Sequence, residues 1–216
     1  MQRRDVLLDY YRAMLAANGP RNWWPARTPF EVCVGSVLTQ NTAWKGVEKA
    51  ISNLERAGAL DPRVLHGLGL DEVERLIHPA GYFRVKARRL GNLLDYLSAS
   101  CDFDLELLAQ REMSAVRGEL LDVSGIGPET ADSILCYALG MPSFVVDAYT
   151  RRILSRHGLL PEDADYEETR DFFMDVLDPD PALLGDFHAQ LVCVGNRYCK
   201  TRNQLCDTCP LGSFLS

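Results

Sequence analysis

Apolar residues recur along this chain at helical spacing almost throughout. Phe30, Cys33, Val34, Val37 and Leu38 mark one face of a helix opened by Thr28-Pro29-Phe30-Glu31, a capping box with proline at the first helical position. The same period predicts helices over about 45–57, 71–78, 83–99, 104–110, 113–123, 128–139, 147–157, 166–177 and 182–195, after an amphipathic opening segment from Met1 to Ala17. Gly19-Pro20, Pro25, Gly81, Gly140 to Pro142 and Gly158 to Pro161 punctuate them. Strand alternation is nearly absent, and there is neither an internal repeat nor a low-complexity segment. An all-α fold follows.

Composition narrows the class. At 216 residues and 47% hydrophobic, the chain can bury a substantial core in one domain or two small ones. No apolar run approaches the ~18 residues a membrane helix needs, and the charged opening segment is no signal sequence, so a cytoplasmic protein is expected. Seven cysteines then read as core thiols plus a metal-type cluster rather than as disulfides. The net charge of −7 opposes nucleic-acid binding, because neutralising phosphates supplies most non-specific affinity. Its distribution weakens the objection: Arg84, Lys86, Arg88 and Arg89 share one helix, Arg151, Arg152 and Arg156 another, and acids crowd into 161–180.

The most informative stretch is 121–147. A helix ends at Ser124-Gly125-Ile126-Gly127, and Pro128 suits the first turn of the next. With two glycines leaving the backbone bare, the N–H groups of Gly125, Ile126, Gly127 and their successors can approach a phosphate at a helix N-terminus. Such a contact reads no base. Ala131, Ile134, Leu135, Ala138 and Leu139 form the expected core face of the second helix, with Glu129, Asp132, Ser133 and Cys136 on the other side. Val146-Asp147-Ala148-Tyr149 then opens another helix, where Asp147 is a natural N-cap and a carboxylate kept ionised.

This hairpin, the Gly/Pro-rich loop, Asp147, the Leu38-Thr39-Gln40-Asn41 stretch and the cysteine-rich tail come in the order of the endonuclease III, or helix–hairpin–helix-GPD, superfamily of DNA glycosylases, which nearly the whole chain resembles. The resemblance implies a two-lobed helical fold: residues 28–140 as a six-helix lobe, residues 1–27 plus 141–216 as a second, and Asp147 at the mouth of the cleft between them. It implies double-stranded DNA carrying a damaged base as partner, a monomer working in a bacterial or archaeal cytosol or nucleoid, and Gln40, beside Asn41, filling the gap left by a flipped nucleotide.

Strand-cutting members carry a lysine two residues after the second hairpin glycine; here Glu129 stands there, and Lys45, Lys49, Lys86 and Lys200, the only lysines, lie elsewhere. A carboxylate forms no imine, so hydrolytic base removal without lyase chemistry is expected. All three tryptophans, Trp23, Trp24 and Trp44, lie in the N-terminal quarter. Aromatic walls suit an extruded base, and a cationic methylated purine gains about 2 kcal/mol from one desolvated ring. The Trp23-Trp24-Pro25 loop, the Gln40-Asn41-Thr42 stretch leading to Trp44 and the helix opened by Gly125-Ile126-Gly127-Pro128-Glu129 together resemble the alkylpurine (3-methyladenine) branch. An endonuclease III-like enzyme for an oxidised or mispaired pyrimidine, and a non-catalytic DNA-structure-binding module, are the alternatives.

Cys199, Cys206 and Cys209 repeat three of the four ligand positions of the family's 4Fe-4S loop, while Leu215 stands at the fourth. Cys193 is the nearest other thiol. A cluster completed by Cys193 or a non-thiolate, a mixed zinc site and a degenerate loop with free thiols all stay open.

Overall fold

The computed structural model describes residues 2–21 and 24–215, and among these no strand occurs. Twelve α-helices follow in order: α1 (Arg3–Asn18), α2 (Pro29–Leu38), α3 (Trp44–Arg56), α4 (Pro62–Gly67), α5 (Leu70–Ile77), α6 (Phe83–Cys101), α7 (Leu105–Ala109), α8 (Met113–Asp122), α9 (Pro128–Ser133), α10 (Ala148–Arg156), α11 (Tyr166–Met174) and α12 (Pro181–Arg197). They form two compact units, Ala26–Met141 and Met1–Pro25 with Pro142–Ser216.

In the first unit α2 is the central rod. Every residue from Phe30 to Leu38 is buried, including Glu31 and Ser36, so α2 packs on all sides and its sequence shows no polar face. Thr28 caps it by accepting from the Glu31 N–H at 3.1 Å. Val47, Leu54, Val73, Ile77, Leu90, Leu94, Leu97 and Leu120 complete the core around it. Each such side chain contributes roughly 1.5–3 kcal/mol when fully buried.

The expected helix over 128–139 changes character midway. After Ser133 it widens into a π-helical turn over Ile134–Ala138, where the Leu139 N–H reaches back five residues to the Ile134 carbonyl at 3.0 Å. Its expected polar side is also buried. Asp132 is 0% exposed and receives Arg117 Nε at 2.9 Å and Nη2 at 3.1 Å, while Ser133 and Cys136 are buried as well. The segment therefore runs largely through the interior, with Glu129 exposed at its start and Tyr137 and Ala138 half-buried near its end.

In the second unit, Phe144 and Phe173 stack at 3.8 Å with planes 10° apart, and Phe187 meets both edge-on. Leu7, Tyr10 and Met14 of α1 and Ile153 and Leu154 of α10 join this core. Asp165 and Glu168 form a reciprocal capping box on α11. Gly195 lets α12 approach α10 closely, since a Cβ there would lie 2.4 Å from the Tyr149 ring.

Candidate active site and nucleic-acid interface

Of the two hairpin glycines, Gly125 is the one whose geometry demands glycine, whereas Gly127 has φ −92° and open space where a Cβ would lie. Gly125 takes φ +93°, and a Cβ on it would lie 2.3 Å from Arg89 Cγ, so conformation and space both demand glycine. Ile126 plugs into the core at 4% exposure, its N–H bonded to the Val123 carbonyl at 3.0 Å. Ser124 and Gly127 stay exposed on either side, and Glu129 is exposed in the first turn of α9.

The same unit ties Gln40 to that hairpin. Gln40 Nε2 donates to the Gly125 carbonyl at 3.2 Å and to Thr130 Oγ1 at 3.0 Å, while Arg89 Nη1 donates to Gln40 Oε1. Asn41 is exposed with φ +51°, so the turn after α2 bends outward there. Lys86 departs from its expected place in a basic surface group. It is 1% exposed, and its ammonium donates to the carbonyls of Leu38 at 2.7 Å and Ala80 at 2.8 Å and to Thr42 Oγ1. Burial, with Arg89 nearby, pulls its pKa down to about 8.

Trp44 opens α3 at 38% exposure, its indole N–H donating to Glu48 Oε1 at 2.9 Å. Trp24 is half-buried, and Trp23 lies outside the described residues.

Asp147, in the other unit, is the N-cap of α10. Its Oδ1 accepts from the Thr150 N–H at 2.7 Å and the Thr150 hydroxyl at 2.9 Å. His188 of α12 brings Nε2 to 3.7 Å from Oδ2. Burial alone pushes this carboxyl up; His188 and the two Thr150 bonds outweigh it and hold the carboxyl below its ordinary value. The site thus keeps an ionised carboxylate that is half-buried rather than sealed from solvent. Capping chemistry in the sequence points to Asp147 but not to both of its partners. Thr150, three residues on, was readable from capping chemistry; nothing local announces His188.

The tail forms a third feature. Cys199, Cys206, Cys209 and Leu215 line one recess together with Arg156, His157 and Tyr198. Cys193 sits buried on α12 and does not line it. Among the described residues no three Cys, His, Asp or Glu side chains are close enough to hold a metal ion. Two arginines expected on a basic surface are instead turned inward. Arg152 donates to the Cys199 carbonyl at 2.7 Å, and Arg156 to the Lys200 and Thr201 carbonyls at 2.6 and 3.2 Å and to Cys199 Sγ at 3.3 Å. No described helix is long and apolar enough to cross a membrane.

Comparison with known proteins agrees with this architecture. "Putative DNA repair glycosylase MJ1434" of Methanocaldococcus jannaschii is 41% identical over 210 residues, 97% of this chain and 92% of that protein. Endonuclease III of Thermotoga maritima is 30% identical over 85% of this chain and 80% of its own length. The crystal structure of the 3-methyladenine DNA glycosylase of H. pylori, bound to 1,N6-ethenoadenine, superposes with a TM-score of 0.78 at 28% identity, covering 91% of this chain and 98% of that one. Residues 34–179 match the family model of the HhH-GPD superfamily base excision DNA repair proteins, and the chain belongs to that family.

Proposed function

We propose that the protein is a monofunctional DNA glycosylase that hydrolyses the N-glycosidic bond of alkylated purines, 3-methyladenine first among them, in double-stranded DNA. The observation that carries the reading is Asp147, a carboxylate held ionised at the head of α10 by Thr150 and His188. As the base departs, the sugar becomes oxocarbenium-like. An ionised carboxylate balances that charge and accepts the proton of the attacking water.

The chain's amines support hydrolysis over lyase chemistry. Glu129 occupies the position of the lyase lysine, and Lys86 is buried with three acceptors around it. For the lesion, half-buried Trp24, exposed Trp44 and the carboxylate of Glu129 are the groups suited to a cationic purine. The 3-methyladenine enzyme among the similar structures favours the same substrate class. The endonuclease III relatives favour a second reading, removal of a damaged or mispaired pyrimidine.

Release of free base from methylated DNA, beside duplexes carrying uracil, thymine mismatches or oxidised pyrimidines, separates the two. Methylated purine alone supports the first reading, and a pyrimidine alone replaces it with the second. The chemistry draws nothing from the cysteine tail. Three thiols there need a fourth donor to hold a 4Fe-4S cluster, and Leu215 supplies none. Iron, sulfide and zinc analysis of the purified protein reports directly on that loop.

A further inference from the structure

Helix α6 presents three polar side chains at successive three-residue steps, and between them they grip the turn after α2 and the hairpin of the same unit. Lys86 holds the end of α2 through the Leu38 carbonyl, the turn that follows through Thr42, and the Ala80 carbonyl. Arg89 donates to Gln40 Oε1. Asn92 Nδ2 donates to the Ser124 carbonyl at 2.8 Å. The stem of Arg89 also lies against Gly125, which has no room for a Cβ. The Gln40 turn and the hairpin are thus fastened to one helix face and, through Gln40 Nε2, to each other.

We infer that Lys86, Arg89 and Asn92 are positioning residues that lock the Gln40 turn and the hairpin loop in one register, and that Arg89 selects which end of the Gln40 amide is offered to DNA. The inference rests on the proposed glycosylase function, with Gln40 filling the gap left by a flipped nucleotide and the hairpin backbone meeting phosphate. Both ends of the Gln40 amide are engaged in the free protein. The contact from the guanidinium is charge-assisted, whereas those from Nε2 go to neutral acceptors and are the weaker ones. On entering a gap in the duplex, Gln40 therefore keeps Arg89 and releases the hairpin, presenting an N–H donor. The class of partner follows: an acceptor atom on the base or sugar facing the gap. The hairpin, relieved of Gln40, stays in place through Asn92 and the packed Arg89 stem.

The test compares wild type, Gln40→Ala, Arg89→Met and the double variant. Methionine keeps an aliphatic stem against Gly125, and Arg89→Lys, which keeps charge but not the fork, is the second variant should Arg89→Met unfold. Two readouts are needed: the single-turnover rate of base release, and the fluorescence of 2-aminopurine placed opposite a tetrahydrofuran abasic analogue, with the affinity for that duplex. Arg89→Met and Gln40→Ala are each expected to slow release by about 10- to 100-fold, the range of a hydrogen bond to a charged group. The double variant should be no slower than Gln40→Ala alone. Affinity for the abasic duplex should hold, while the 2-aminopurine signal seen with wild type is lost in both single variants. Multiplying rate losses, or an equal loss of affinity for every duplex with release intact, would overturn the inference and leave Arg89 a plain phosphate contact. If wild type releases no base, the proposed function fails by itself; the fluorescence then still decides the positioning role.

Discussion

At the residue scale, the proposed function rests on a carboxylate whose surroundings oppose one another. Burial raises the Asp147 carboxyl and its partners lower it, with the partners prevailing. A folded-state pKa below the unfolded value contributes stability that is fully present above the unfolded value of about 3.9 and is lost as pH falls through the folded one. Base release is accordingly expected to persist down to about pH 4, the ordinary range of a free Asp, before its acid limb begins. Thr150→Val removes the hydroxyl bond and is expected to move that limb upward and cost about 1 kcal/mol of stability; a pH–rate profile with an unmoved limb would contradict the role given to Thr150. Lys86→Met leaves two buried carbonyls without their ammonium donor and is expected to destabilise by roughly 2–4 kcal/mol, read from denaturant unfolding. Asp147 was legible in the sequence because capping chemistry is local. The burial of Lys86 was not: its position in a run of arginines suggests a solvated face, and two of its three acceptors, Leu38 and Thr42, lie more than forty residues away in the chain.

At the element scale, helices with a long apolar period were legible, and elements set by tertiary packing were not. α4, six residues capped by Asp61 through the Arg63 and Val64 N–H groups, is too short to show periodicity. The π-helical turn after Ser133 has no signature in Ile134-Leu135-Cys136-Tyr137-Ala138, which suits an ordinary helix equally. The buried face carrying Asp132 was missed because its charge is compensated by Arg117 on α8. The turn at the hairpin glycines is legible in the sequence, and Gly125→Ala tests why glycine stands at the first of them. At φ +93° with Arg89 Cγ in the way, alanine incurs both backbone strain and overpacking, and a loss of about 2–4 kcal/mol is expected from unfolding curves. A loss under 1 kcal/mol would mean that the hairpin relaxes freely.

At the scale of the whole molecule, the family was legible because its motifs lie at fixed places along the chain, whereas the use of its charges was not. Arg152 and Arg156, which the sequence groups with a basic surface, are spent on carbonyls of the C-terminal loop. Arg156→Ala is expected to cost about 1–3 kcal/mol and to open that loop to limited proteolysis; an unchanged cleavage pattern would contradict the fastening role.

The measurement that bears most directly on the central claim is release of free base from methylated DNA by wild type and by Asp147→Asn, with borohydride present and products sized before and after alkali. Release of 3-methyladenine by wild type alone is expected, with no covalent protein–DNA adduct and strand breaks only after alkali. Undiminished release by Asp147→Asn, or an adduct trapped with wild type, would contradict it.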